Sequence, residues 1–407
     1  MLAALPGCAL LSPEDLPARQ RAAPAAALVE GNTARMLIDG PKAHDAMFAA
    51  MAQARDHINL ETYILDDGEA GERLLAVLKD RAVQGVKVQL IYDSIGSLGT
   101  PREYFDRLRE AGVQVCEFNP VRGRLDKVNN RDHRKILVVD GRVAFTGGIN
   151  ISKTYASGSA VTRRKALDAE AKTRDGWRDT QVMVRGPVVA QLQRLFLDAW
   201  ALQDCGPYAD ARYYPPLERR GDLAMRVVRS DPGSQGSAPL SEMYAALLER
   251  IAAAGSRVWL TVGYFVPDPD IKNALIAAAR RGVDVRLVLP GFSDFWAPVE
   301  AGRSHYDDLL AAGVRIYEWH DALMHAKTAV IDSQWGSIGS TNLDWRSFVH
   351  NYEADVIVYD REFAQELERQ FQRDMAASVR IDPDKWGARG LRQKLREWLA
   401  RQWEYLL

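Results

Sequence analysis

Short apolar runs alternate with segments of helical period along this chain. The runs, among them INLETYIL (58–65), VWLTVGYFV (258–266) and EADVIVYD (353–360), are rich in Val and Ile. Runs of this kind predict strands buried on both faces. Segments such as 71–84 and 269–281 instead repeat apolar residues at the helical period, which predicts amphipathic helices. The alternation predicts an α/β protein whose sheets are covered by helices.

The pattern occurs twice. RAVQGVKVQLIYDSIGS (81–97) returns as AARRGVDVRLVLPGFSD (278–294), and LREAGVQVCEF (108–118) as LLAAGVRIYEW (309–319). DTQVMVRG (179–186) returns as EADVIVYD (353–360). A repeat of about 200 residues implies two similar domains rather than a solenoid. Their expected bounds are 33–204 and 224–380, joined by a Pro- and Gly-rich linker at 205–223. Residues 1–32 read as a flexible leader and 381–407 as a C-terminal amphipathic helix. The polar segment 156–176 carries Arg163, Arg164, Lys165, Lys172 and Arg174, and reads equally as a lid and as a solvated loop.

Composition narrows the class. With 407 residues, 47% hydrophobic and 26% charged, the chain has material for two cores. A net charge of −1 gives no global pull toward nucleic acid or anionic lipid. No apolar run reaches the roughly 18–20 residues that span a bilayer. Cys8, Cys116 and Cys205 form neither a disulfide framework nor a zinc motif, and Cys116 reads as a small buried apolar residue. Leu5-Pro6-Gly7-Cys8 resembles a bacterial lipoprotein cleavage box, but lacks the basic start and longer apolar stretch of a signal. Lipid anchoring at Cys8 is therefore the alternative to a plain leader.

The chemistry lies in a second, sharper repetition. RDHRKILVVDGRVAFTGGIN (131–150) carries His133, Lys135, Asp140 and Asn150, and MHAKTAVIDSQWGSIGSTN (324–342) carries His325, Lys327, Asp332 and Asn342, each 192 positions later. In a strand, the histidine and lysine of H-x-K point the same way, about 6.5–7 Å apart. Asp140 and Asp332 complete the motif at the strand ends and are read as braces for their turns and lysines, not as proton carriers. Asn150 and Asn342 follow after Gly-Gly and Gly-Ser, where backbone and ligand can approach closely. Brought together about a pseudo-twofold axis, the halves offer two opposed imidazoles, two ammonium groups and two carboxamides. In-line displacement at a phosphodiester needs an attacker and a proton donor on opposite faces. The ammonium groups and carboxamides stabilise the equatorial oxygens, so no metal and no cofactor is expected.

These residues resemble the phospholipase D superfamily over about residues 33–380, and within it the bacterial cardiolipin synthases of the short, peripheral type. The marks are LETYI (60–64), NNRDHRKILVVDG (129–141), GGIN (147–150), WRDTQVMVRGP (177–187), YFVPD (264–268), HAKTAVID (325–332), GSTNLDWRSF (339–348) and NYEADV (351–356). The resemblance implies two phospholipase D-like domains, each a mixed sheet flanked by helices, with the active site between them. It implies a ping-pong reaction through a phosphohistidine. Each catalytic histidine then leans on a carboxylate of the opposite half: His133 on Glu353, and His325 on Asp179. It favours His133 as nucleophile and His325 as acid and then base, and sets Glu61, Tyr63 and Tyr264 near the lipid headgroup.

The implied reaction joins two phosphatidylglycerol molecules into cardiolipin and glycerol, with phosphatidylethanolamine as an alternative substrate. Attack by water would make the chain a phospholipase D that releases phosphatidic acid. A nuclease needs a basic groove that the charge does not offer, and no nucleic-acid partner is expected. A non-catalytic lipid scaffold would not keep both motif copies. Peripheral attachment to the bacterial cell membrane is expected, without a transmembrane helix. The candidate device is LRQKLREWLARQWEYLL (391–407), a basic, Trp-bearing segment that suits either a membrane interface or packing on the domain.

Overall fold

The computed structural model describes residues 27–121, 128–159, 176–216, 218–233 and 239–404. The cleavage-box-like residues around Cys8 and the basic stretch 163–174 lie outside them. The first half contains β1 (Val29–Ile38), β2 (His57–Thr62), β3 (Lys87–Asp93), β4 (Gln114–Phe118), β5 (Arg131–Asp132), β6 (Ile136–Val139), β7 (Val143–Gly147), β8 (Trp177–Arg178) and β9 (Thr180–Arg185). The second contains β10 (Leu223–Asp231), β11 (Leu240–Ser241), β12 (Arg257–Thr261), β13 (Asp284–Pro290), β14 (Arg315–Trp319), β15 (Leu323–Met324), β16 (Thr328–Ile331), β17 (Trp335–Gly339), β18 (Asn351–Tyr359) and β19 (Val379–Arg380).

The two sheets have the same order. β4, β3 and β2 run parallel, followed by antiparallel β6, β7, β9 and β1. β14, β13, β12, β16, β17, β18 and β10 repeat that order. The predicted mixed sheets flanked by helices are thus present in both halves. Helices Glu69–Val83 and Pro269–Arg280 occupy the two segments of helical period.

The apolar runs are continuous because both faces of each sheet are covered. Leu137 and Val139 of β6 enter the core of the first half, while Ile136 and Val138 enter a core shared with the second. Ala329 and Ile331 of β16 enter the second half's own core, and Val330 the shared one. This shared core, which also takes in Val182, Val184, Val356 and Val358, seals the halves face to face. Two short parallel pairings cross between the halves: β5 with β18, and β8 with β15. They lead directly into the site.

Three expectations are corrected. β1 begins at Val29, inside the stretch read as leader, because Val29 pairs with Met225 and the Asn32 carboxamide donates to the carbonyls of Val29 and Leu223. Cys116 is not a lone apolar residue: it is disulfide-bonded to Cys205, with Cα atoms 5.5 Å apart, and this ties the linker to β4. The C-terminal segment holds two helices, Pro383–Gly387 and Leu391–Arg401, separated at Arg389 and Gly390.

Candidate active site

The crossing strands set the histidines. Asn351 and Tyr352 of β18 pair with Arg131 and Asp132, and the His133 amide then donates to the Tyr352 carbonyl at 3.0 Å. The next residue of β18 is Glu353, which thereby faces His133. The counterpart is built alike: Trp177 and Arg178 pair with Leu323 and Met324, the His325 amide donates to the Arg178 carbonyl at 2.8 Å, and Asp179 follows. Arg178 is itself pinned by Asp374 of the second half, at 2.6 Å.

The result is two buried imidazoles whose ring centres are 6.3 Å apart at a steep angle. Glu353 Oε2 lies 2.9 Å from Nδ1 of His133, and Asp179 Oδ2 lies 2.7 Å from Nδ1 of His325. Gly148 permits the second contact, since a Cβ there would stand 2.2 Å from the Asp179 carboxylate. With Nδ1 held by a carboxylate, Nε2 of each ring is the nitrogen left for chemistry.

Lys135 and Lys327 are buried, and each ammonium donates to the carbonyl of the histidine two residues before it. Burial pushes Lys135 down to about 7 and Lys327 to about 8. Burial and the two ammonium groups hold both imidazoles well below their ordinary range. Burial raises the carboxyls of Asp179 to about 6 and Glu353 to about 7. Burial, with two cations near each other, leaves the site suited to receiving an anion, whose arrival would restore the protons on the lysines and imidazoles.

A cleft of about 400 Å³ opens over the imidazole pair, a size that suits a small ligand or a headgroup. Tyr63 lines it with its ring 5.1 Å from that of His133. Tyr264 lines it near His325 and donates to Asp294 at 2.6 Å. Asn150 and Asn342 both reach the cleft. Asn150 Oδ1 accepts from the Ile64 amide and Asn342 Oδ1 from the Tyr264 amide, which orients both carboxamides.

Two placements differ from expectation. Asp140 accepts from the amides of Arg55, Asp56 and His57, and Asp332 from those of Gly255, Ser256 and Arg257. They clamp the turns that lead into β2 and β12 and do not brace the lysines. The reason is distance along the strand: four residues separate lysine from aspartate, so the carboxylate emerges at the far end of the sheet. Glu61 is fully buried 3.1 Å from Arg134 and does not line the cleft.

Other residues in the cleft or packed against its histidines carried no assignment from sequence. Tyr155 places its hydroxyl 3.1 Å from Nδ1 of His325, donates to the Gly148 carbonyl and accepts from Asn150. Trp177 packs 4.7 Å from the His325 ring. Arg131 and Arg346 line the side nearer β5, and Asp294 and Phe295 the rim. Trp177, Arg131 and Arg346 all fall within the motif stretches, whereas Tyr155 and Phe295 are brought in only by the folded chain.

Residues 47–160 and 247–375 match the family model described as cardiolipin synthase, PLD-like domain. The cardiolipin synthase of Geobacillus kaustophilus is 34% identical over 370 residues, which is 90% of this chain and 70% of that protein. That of Listeria monocytogenes is 32% identical over 380 residues, covering 92% and 76%. Among solved structures, the phosphatidylserine synthase of Haemophilus influenzae has the same fold, with a TM-score of 0.67 over 92% of this chain and 95% of that one at 13% identity. The duplicated domains and paired imidazoles define an enzyme of the phospholipase D superfamily. Within that superfamily, the chain belongs to the cardiolipin synthase family.

Proposed function

We propose that this enzyme transfers a phosphatidyl group between phospholipids at a bacterial membrane surface, joining two phosphatidylglycerol molecules into cardiolipin with release of glycerol. The observation that carries the proposal is the opposed imidazole pair, each ring held at Nδ1 by a carboxylate of the other half. A tetrahedral phosphorus between them can be attacked by one and relieved of its leaving group on the side of the other.

In the first step, neutral His133 attacks phosphorus through Nε2. A P–N bond forms, the P–O bond to the headgroup breaks, and the departing glycerol takes a proton from the His325 imidazolium. In the second step, the headgroup hydroxyl of another phosphatidylglycerol gives its proton to His325 and attacks phosphorus, and the P–N bond breaks. Both rings end as they began. Lys135, Lys327, Asn150 and Asn342 stabilise the charge that grows on the phosphoryl oxygens. Tyr63 and Tyr264 flank the headgroup. No described helix is long and apolar enough to cross a membrane.

The test is product analysis by mass spectrometry. Purified protein is given phosphatidylglycerol vesicles, with and without phosphatidylethanolamine, beside a His133→Ala control. Cardiolipin and free glycerol are expected. Phosphatidic acid alone would make the enzyme a hydrolase, and dependence on phosphatidylethanolamine would change the substrate pair.

A further inference from the structure

The helix Leu391–Arg401 is packed the wrong way round for a helix that only covers a domain. Such a helix turns its apolar stripe inward. Here Glu397 and Ala400 are the buried residues, while Leu391 is 86% exposed, Leu395 56%, Trp398 57% and Trp403, just beyond the helix, 60%.

The inward side is held by polar contacts. Glu397 accepts from Arg389 at 2.7 Å, and Arg389 also grips Asp307 at 2.7 Å. Gln393 donates to Glu300 at 2.6 Å, and Glu404 lies 3.3 Å from the His305 ring. These contacts fix the rotation of the helix about its axis, so the outward apolar face is a built feature rather than a frayed end.

Charge and position say what that face meets. At the 100° per residue of an α-helix, Arg392 and Arg396 flank the apolar stripe on one side and Lys394 and Arg401 on the other. Cationic heads on both flanks of a Leu/Trp stripe suit the headgroup layer of an anionic bilayer. The helix packs beside the helix Trp296–Arg303, and the Arg396 guanidinium sits 5.9 Å above the Trp296 ring. Trp296 is itself 52% exposed and follows Phe295, which lines the cleft. The apolar face thus continues to the mouth of the site. A cleft sized for a headgroup leaves the acyl chains of a lipid outside, where they need an apolar medium.

We infer that the outward face of Leu391–Trp403, continuous with Trp296 at the mouth of the cleft, seats the enzyme on an anionic phospholipid bilayer and presents the cleft to the headgroups. This rests on the reading of the substrate as a phospholipid. The other occupant of such a face, a second copy of the chain, is an outcome of the test.

The experiment compares the full chain with a Leu395→Ser, Trp398→Ser, Trp403→Ser triple variant, none of which touches the cleft. Flotation with vesicles of phosphatidylglycerol and phosphatidylcholine measures binding. Turnover of short-chain, water-soluble phosphatidylglycerol measures the site alone. The variant is expected to lose about tenfold in vesicle binding and to keep its turnover of the soluble lipid. Wild-type binding should weaken with salt and in pure phosphatidylcholine. In the wild type, acyl-brominated lipid should quench tryptophan fluorescence, and the quenching should shrink in the variant. Undiminished vesicle binding by the variant would overturn the inference. So would a wild-type dimer, seen by sedimentation, that the three substitutions dissociate. Failure of the wild type on the soluble lipid would instead count against the phosphatidyl-transfer reading, whatever the vesicles show.

Discussion

Glu353 and His133 belong to opposite halves of the chain, yet the carboxylate lies 2.9 Å from Nδ1 of the imidazole. Asp179 stands in the same relation to His325. A carboxylate there holds the proton on Nδ1 and leaves Nε2 to react. Glu353→Gln and Asp179→Asn keep the shape but offer an amide, which can support the wrong tautomer. Each is expected to lower kcat on phosphatidylglycerol on the order of 10³–10⁴-fold with a much smaller change in KM. Gly148→Ala should approach the Asp179→Asn result without altering an ionisable group, because its methyl would stand 2.2 Å from that carboxylate. Steady-state kinetics decide; a loss below about tenfold would reduce the carboxylates to packing.

On the proposed mechanism the two histidines have separable roles. Removing either should lower turnover of phosphatidylglycerol on the order of 10²–10⁴-fold or more. A phosphatidyl ester of nitrophenol needs no protonated leaving group, so it can still load the nucleophile when the acid is missing. His325→Ala incubated with this ester is expected to carry a phosphatidyl mass on His133, found by intact-protein and peptide mass spectrometry. His133→Ala should carry none. The reverse pattern would exchange nucleophile and acid.

If the lysines bind the phosphoryl group as proposed, substrate affinity is expected to depend on pH. Burial lowers Lys135 to about 7 and Lys327 to about 8 in the empty site. A lowered ammonium is charged below its pKa and neutral above it. A bound phosphodiester anion raises that pKa again. KM for phosphatidylglycerol is therefore expected to climb as pH rises through 7 to 8, while kcat at saturation holds to higher pH. Lys135→Arg keeps its charge throughout and should flatten the climb at some loss of rate. A wild-type KM that stays level between about pH 6 and 9 would remove the lysines from substrate binding. Since the fixed cations belong to the protein, turnover is also expected to survive a chelator.

The features legible in sequence are those with a short period or a repeat. Val and Ile runs disclosed the strands because burial on both faces leaves no polar alternation. The spacing of His133, Lys135 and Asn150, repeated at His325, Lys327 and Asn342, disclosed the site because one hairpin delivers each set. Contacts that depend on tertiary approach left no such mark. Tyr155 is only five residues beyond Asn150, but its place at His325 exists only once the second half is docked. Asp140 shares the motif with Lys135 yet serves the opposite end of the strand. The sequence disclosed a basic, Trp-bearing amphipathic segment at 391–407, but not that Glu397 would be on the side packed inward.

The cysteines give a further case and a test. Cys116 on β4 and Cys205 at the start of the linker are 89 residues apart, a separation that carries no local signal. The bond they form closes a long loop, and in the chain-entropy account such a closure stabilises by about 4–5 kcal/mol at most, with measured values commonly 2–4. The bond also fastens the linker beside Phe196 and Trp200, whose apolar cluster includes Cys116. Cys205→Ser, or full reduction of the wild type, is therefore expected to lower the thermal midpoint by about 2–5 °C. Kinetics at low temperature should change little, because neither cysteine lines the cleft. Alkylation of the native protein should leave Cys116 and Cys205 unlabelled before reduction and label both after it. Bonds of this kind persist in oxidising compartments, so protein recovered from its own membrane with alkylating agent present is the sample to count. Labelling of both Cys116 and Cys205 in that sample before reduction, together with a midpoint indifferent to reductant, would show that the pair is not joined in the working enzyme.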